Sequence, residues 1–155
     1  MTLSRVAHDT FVIERIYHVP VTQVFGAWAD PTLKARWFAG SADALGAGYD
    51  LDFRVGGREV NRAGPPGGPV YTYQSEFHDI VPEQRIIYTY EMYADETRIS
   101  VSVATVQFHS RDATTQLVLT DQGVFLDGHD TAAQREEGTR ILLDSLAAIL
   151  NGGGS

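Results

Sequence analysis

The residues with the most chemical character in this chain are tyrosines and phenylalanines set at strand spacing. Tyr71, Tyr73 and Phe77 share one strand face, and Tyr88 and Tyr90 share another. Trp37, Phe38 and Phe53 join them if the sheet that carries them curves. A wall of rings with a few hydroxyls, Ser75 among them, suits a flat apolar ligand of metabolite size. Taken singly, each ring reads as ordinary core, because aromatics dominate cores. The set argues for a cavity, since a buried phenol wants a hydrogen-bond partner. Arg135 falls near the inward face of the last predicted helix, one turn before Thr139. It either meets a carboxylate at a cavity mouth or snorkels at the surface, the commoner behaviour. Asp52 and Arg54, two apart, face solvent if Leu51, Phe53 and Val55 face the core, and enter the cavity if the sheet curls the other way. Glu76 and His78 would make a proton-transfer pair on an inner face, but alternation with Ser75 and Phe77 puts them outside.

Other chemistries lack their minimum parts. The five histidines, His8, His18, His78, His109 and His129, show no HxH or HExxH spacing, so no metal site is expected. There is no GxSxG elbow, no GxGxxG after a strand and no GxxxxGK loop, and the glycines at 64–68 come with prolines and no lysine. No cofactor is expected and no residue is assigned a catalytic role. With no cysteine, thiolate metal sites, disulfides and cysteine nucleophiles are excluded. Twelve basic against twenty acidic residues give a net charge of −8, which makes nucleic acid and anionic membranes poor partners. No apolar run approaches the roughly 20 residues of a membrane helix. The opening MTLSRVAHDT lacks the basic-then-apolar profile of a secretion signal, so a cytoplasmic location is expected.

The elements that must position these residues follow from periodicity. Phe11 to His18 is β-branched and aromatic and reads as a first strand. Val21, Val24, Phe25 and Trp28 share one helix face after Pro20; Asp30-Pro31 then caps a second short helix carrying Leu33 and Trp37. From Tyr49 the period changes to two. Strands are expected over Tyr49 to Val55, Arg58 to Arg62, Val70 to Asp79, Arg85 to Tyr93, Ile99 to His109 and Thr114 to Thr120, about seven with the first. A long helix over Thr131 to Leu150 opens with Thr131-x-x-Gln134, a capping-box spacing. Its inward face carries Ala132, Thr139, Leu142, Leu143, Leu146 and Leu150. Only the sheet is wide enough to cover that face, which predicts an α+β design. The 155 residues fit one domain over 1–150, with 151–155 as a flexible Gly/Ser tail.

This order, with several local strings, resembles the helix-grip fold of the START and birch-pollen-allergen superfamily. More narrowly it is similar to the family named after the activator of heat-shock protein 90 ATPase. The strings are Ile13-Glu14-Arg15, Val24-Phe25-x-Ala27-Trp28-x-Asp30-Pro31 through Arg36-Trp37-Phe38, Asp52-x-Arg54-x-Gly56-Gly57-Arg58, Ile80-Val81-Pro82-Glu83-x-Arg85-Ile86, and Gly138 to Leu150. The resemblance implies a curved antiparallel sheet wrapped around the last helix with an apolar cavity between them. It also implies that Thr139 stands where relatives usually carry tryptophan, either enlarging the cavity or leaving a gap that a neighbouring aromatic fills. It does not choose one activity. A small apolar ligand, aromatic or acyl, is the expected partner, bound by Trp37, Phe38, Phe53, Tyr71, Tyr73, Ser75, Phe77, Tyr88, Tyr90, Arg135, Thr139, Leu142 and Leu143. Binding is favoured over turnover. The alternatives are a cofactor-independent cyclase or aromatase, and a co-chaperone-like domain with its stress-response association; a homodimer or a chaperone partner stays open.

Overall fold

The computed structural model describes residues 4–152; the last three residues of the expected Gly/Ser tail lie outside them. Seven strands form one antiparallel sheet in the order β1-β7-β6-β5-β4-β3-β2. They are β1 (Val6–Tyr17), β2 (Tyr49–Leu51), β3 (Arg58–Ala63), β4 (Tyr71–Val81), β5 (Arg85–Ala94), β6 (Thr97–Arg111) and β7 (Thr114–Leu126). The last six run as a meander, and β1 closes it by pairing along the whole of β7, from Val6 opposite Leu126 to Tyr17 opposite Thr115. Asp95 and Asp112 turn two of the hairpins with positive φ, a conformation aspartate tolerates. Helices α1 (Val21–Ala29), α2 (Pro31–Phe38) and α3 (Ala132–Gly152) complete the α+β helix-grip fold.

Local chemistry explains the helix ends. The Asp30 side chain accepts from the backbone N–H groups of Thr32 and Leu33, at 2.9 and 3.1 Å, with Pro31 in the first turn of α2. Thr131 Oγ1 accepts from Gln134 N at 3.1 Å, so the capping-box spacing delivers its forward bond, while Asp130 holds Thr131 N at 2.7 Å. The core joins Ile13 and Tyr17 of β1, Val24 and Trp28 of α1, Trp37 of α2, Val106 and Leu117 of the sheet, and Leu143 and Leu146 of α3.

Two expectations are corrected. The strand expected over Tyr49 to Val55 stops at Leu51, because residues 52–57 fold back on themselves. Gly57 N donates to Arg54 O, and the segment then docks on β4 through reciprocal backbone bonds between Phe77 and Gly56-Gly57. A Cβ on Gly57 would stand 2.1 Å from the Asp52 carbonyl oxygen, so this turn requires glycine. The last strand, expected to end at Thr120, continues to Leu126. The alternation of Leu117 and Leu119 therefore runs on through Asp121, Gly123 and Phe125, which brings a carboxylate onto the inner face.

Candidate functional site

The two halves of α3 meet the sheet differently. Leu143 and Leu146 are fully buried, whereas Arg135, Thr139 and Leu142 are only partly covered. Gly138 contributes no side chain, and a Cβ built there would find nothing within 4 Å. Between this half of the helix and the sheet lies a cavity of about 390 Å³ that opens to solvent. That is within the range of small-molecule sites and far above the voids of ordinary packing.

Nine of the residues expected around a ligand line it: Trp37 and Phe38 from α2, Tyr73, Tyr88 and Tyr90 from β4 and β5, and Arg135, Thr139, Leu142 and Leu143 from α3. Four lie elsewhere. Phe53, carried off by the shortened β2, packs edge-on to Phe25 and Phe77, with centroids 5.8 and 5.1 Å apart. Phe77 is buried in the core against Phe53 and Tyr88. Tyr71 opens β4 and is exposed. Ser75 is buried opposite Tyr90, away from the cavity wall. The charged pairs face water: Asp52 and Arg54 bond each other at 2.8 Å, both well exposed, and His78 lies on the outside beside Thr89.

The polar end of the cavity is built around Tyr90. Its hydroxyl donates to Asp121 Oδ2 at 2.5 Å and accepts from Arg135 Nη1 at 3.1 Å. Arg135 Nη2 also donates to Ser100 Oγ at 2.9 Å and to Asp130 Oδ2 at 2.6 Å. The guanidinium lies over the Tyr90 and Phe125 rings, 5.5 and 5.4 Å from their centroids. Arg135 is therefore not the snorkelling surface residue that its type favours: its side chain is 11% exposed. Burial opposes its charge, yet Tyr90 and Asp130 more than offset that and hold its pKa above the ordinary value. Burial raises the Asp121 carboxyl, with Tyr90 and Arg135 pulling the other way. Burial also pushes Tyr73, Tyr88 and Tyr90 up, so these phenols keep their protons. The Thr139 hydroxyl is taken up by the Arg135 carbonyl at 2.8 Å, which leaves that side chain as apolar wall.

Behind the aromatic wall sits a buried ion pair that periodicity did not reveal. Lys34 Nζ is 2.9 Å from Glu59 Oε2, and Tyr49 donates to the same oxygen at 2.5 Å. The ammonium also lies 4.5 to 5.2 Å from the ring centroids of Phe38, Trp28 and Trp37. Burial lowers the Lys34 pKa, with Glu59 opposing the shift. Trp37 is pinned from its other side by Nε1 donating to the Ala27 carbonyl at 2.8 Å. Spacing on α2 singled out Leu33 and Trp37 and gave no sign of Lys34; only the tertiary partners Glu59 and Tyr49 make its burial tolerable. Asp121 and Asp130 were missed for a different reason. Both lay beyond the elements drawn from apolar periodicity, although the continued alternation after Leu119 was a usable signal.

The fold and this hollow define a helix-grip protein with a cavity between sheet and terminal helix. The chain matches the family described as Activator of Hsp90 ATPase homolog 1-like protein over residues 18–151, and it belongs to that family. A protein from Rhizobium leguminosarum is 43% identical, with 97% of this chain and 99% of that one aligned at a TM-score of 0.90. A second, from Rhizobium loti, is 45% identical over 93% of this chain and 98% of that one, with a TM-score of 0.86. A protein of the dynemicin biosynthetic locus shares the fold alone, at 19% identity over 94% of this chain and 48% of that one, with a TM-score of 0.67. No curated protein matches the sequence. Among the described residues no helix is long and apolar enough to cross a membrane, and no cluster of His, Asp and Glu is arranged to hold a metal.

Proposed function

We infer that the chain binds a small, largely apolar ligand in the cavity between the sheet and the N-terminal half of α3. The observation that carries this reading is the coincidence of a 390 Å³ hollow with a wall of six aromatic side chains and one polar end. An ordinary core closes such a space, and here Gly138 and Thr139 keep it open. Aromatic walls supply the apolar contact and the Tyr90, Asp121 and Arg135 group supplies orientation. Native mass spectrometry of protein purified from its own host tests the reading. A co-purifying small molecule is expected, and adding back the extracted compound at about a hundred times its Kd should stabilise the fold by about 2.7 kcal/mol. Protein that carries no guest, and whose melting temperature is unmoved by a panel of flat apolar compounds, overturns it.

One observation favours a second reading, a cofactor-independent cyclase or aromatase type of enzyme. Such an enzyme needs a titratable group facing the bound chain, and Asp121 is a cavity-lining carboxyl with a raised pKa. The two readings share the cavity and separate on turnover: recovery of the co-purified compound unchanged after incubation favours binding, and its conversion favours catalysis.

A further inference from the structure

The two edges of the sheet are built differently. Strand order puts β1 at one edge and β2 at the other. β2 has three residues, which offers a second chain little to pair with. β1 has twelve, with no proline, no lysine and no break in its register with β7, so it lacks the devices that keep an edge strand single. That register places Arg5 opposite Asp127, and Asp127 N donates to Arg5 O at 2.8 Å, so the odd-numbered residues of this edge turn their backbone groups toward β7. The even-numbered ones turn theirs outward. Among the described residues, the backbone groups of Val6, His8, Val12, Glu14 and Ile16 meet no other strand, and Thr10 N reaches only the Asp9 carboxylate, at 2.8 Å. Apolar side chains accompany them: Val6, Val12 and Ile16 are 52%, 50% and 52% exposed.

The sequence of β1 is complementary to itself. With a two-fold axis at Val12 and two copies antiparallel, residues equally spaced on either side of Val12 face each other across the new pair. On the outer face Val12 meets its own copy, Thr10 meets the partner's Glu14, and His8 meets the partner's Ile16. On the inner face Phe11 meets the partner's Ile13, and Asp9 meets the partner's Arg15, an ion pair that the symmetry makes twice. Arg15 Nη1 holds Asp144 at 2.5 Å, while its Nη2 has only the Arg140 carbonyl at 3.4 Å, which leaves donor capacity for a second carboxylate. Sliding the pair by one step of the alternation sets Asp9 against Ile13 or Tyr17 and Arg15 against Ala7 or Phe11. Both ion pairs are then lost. Charge therefore selects one register, and no like charges oppose each other in it.

We propose that the chain forms a two-fold dimer in which β1 pairs antiparallel with β1 of a second copy, centred on Val12, joining the two sheets into one. Thr10 N then exchanges the Asp9 carboxylate for the carbonyl of the partner's Glu14. The chain has no cysteine of its own, so single cysteines report the register cleanly. Val12→Cys should form a covalent dimer under mild oxidation, because position 12 meets itself at a Cα separation of about 5.5 Å, within reach of a disulfide. Thr10→Cys and Glu14→Cys should each stay monomeric on a denaturing gel, since each lies about 14 Å along the strand from its own copy. An equimolar mixture of those two should link. Equal linking by all three single variants, or linking by none of them and not by the mixture, overturns the proposal. Sedimentation equilibrium of the wild-type protein, over a series reaching about 1 mM, should show monomer passing to dimer, and a monomer throughout overturns it as well. Val12→Pro removes an outward N–H and none that β7 uses, so it should keep the wild-type circular dichroism and lose the dimer. A folded Val12→Pro that still dimerises contradicts the pairing, and the cysteine pattern stands independently of whether that variant folds.

Discussion

Asp121 is the residue on which most of the site's electrostatics converge. Its carboxyl sits above the ordinary 3.8 because burial outweighs the help of Tyr90 and Arg135. The folded protein therefore holds this proton more tightly than the unfolded chain does. The stabilisation from Asp121 is complete below pH 3.8 and is lost as pH rises through the higher folded value. Asp121→Asn cannot ionise, so its stability relative to wild type should improve as pH is raised from below that value to neutral. Denaturant titrations over a pH series measure the difference, and a difference that stays constant with pH contradicts the assignment. The Lys34–Glu59 pair makes a second prediction. Lys34→Met should cost about 3–5 kcal/mol, because it leaves Glu59 buried without its counter-charge. Pairing it with Glu59→Gln, which still accepts from Tyr49, should recover much of that loss in the double variant. Simple addition of the two single losses would show the pair to be energetically independent.

At the scale of elements, the N-terminal half of α3 decides whether there is a cavity at all. Gly138 lies in a helix, and a Cβ there would meet nothing within 4 Å. Gly138→Ala should therefore stabilise the protein by about 0.5–1 kcal/mol through helix propensity alone. A loss of stability in thermal denaturation would mean that the backbone there is under a constraint not visible in its surroundings. Thr139→Trp puts bulk into the wall of the hollow. It should abolish ligand uptake by filling the hollow while leaving the fold intact; retained uptake would place the guest elsewhere. The short α2 shows where periodicity reaches its limit. Spacing located the helix and its Asp30 cap, yet a lysine three residues after Pro31 is buried because of Glu59 and Tyr49, which are far away in sequence. The same holds for β2, where alternation continues to Val55 but the Gly56-Gly57 turn pulls the chain off the sheet, and Val55 is exposed.

At the scale of the whole molecule, fold and cavity were legible to different degrees. Change of period, turn residues and one long amphipathic helix placed nearly every element, because those signals are local and strong. The site was half legible. Rings that alternate on β4 and β5 could be assigned to a common face, so Tyr73, Tyr88 and Tyr90 were found. The same alternation carried Tyr71 and Phe77 along with them, since a strand's period says which face a residue takes and not how far along the strand the helices cover it. The polar end was legible only in Tyr90 and Arg135; Asp121 and Asp130 join them from β7 and from the residues just before α3. No spacing rule connects those positions.

The most direct test is to locate a bound guest by nuclear Overhauser effects in solution, using 2-naphthol with the labelled protein. Cross-peaks from the naphthol to the Thr139 methyl, the Leu142 methyls and the Tyr90 ring are the predicted result. Cross-peaks confined to exposed side chains such as Val12, Ile16 and Val103, or a saturated sample with none to the interior, would contradict it.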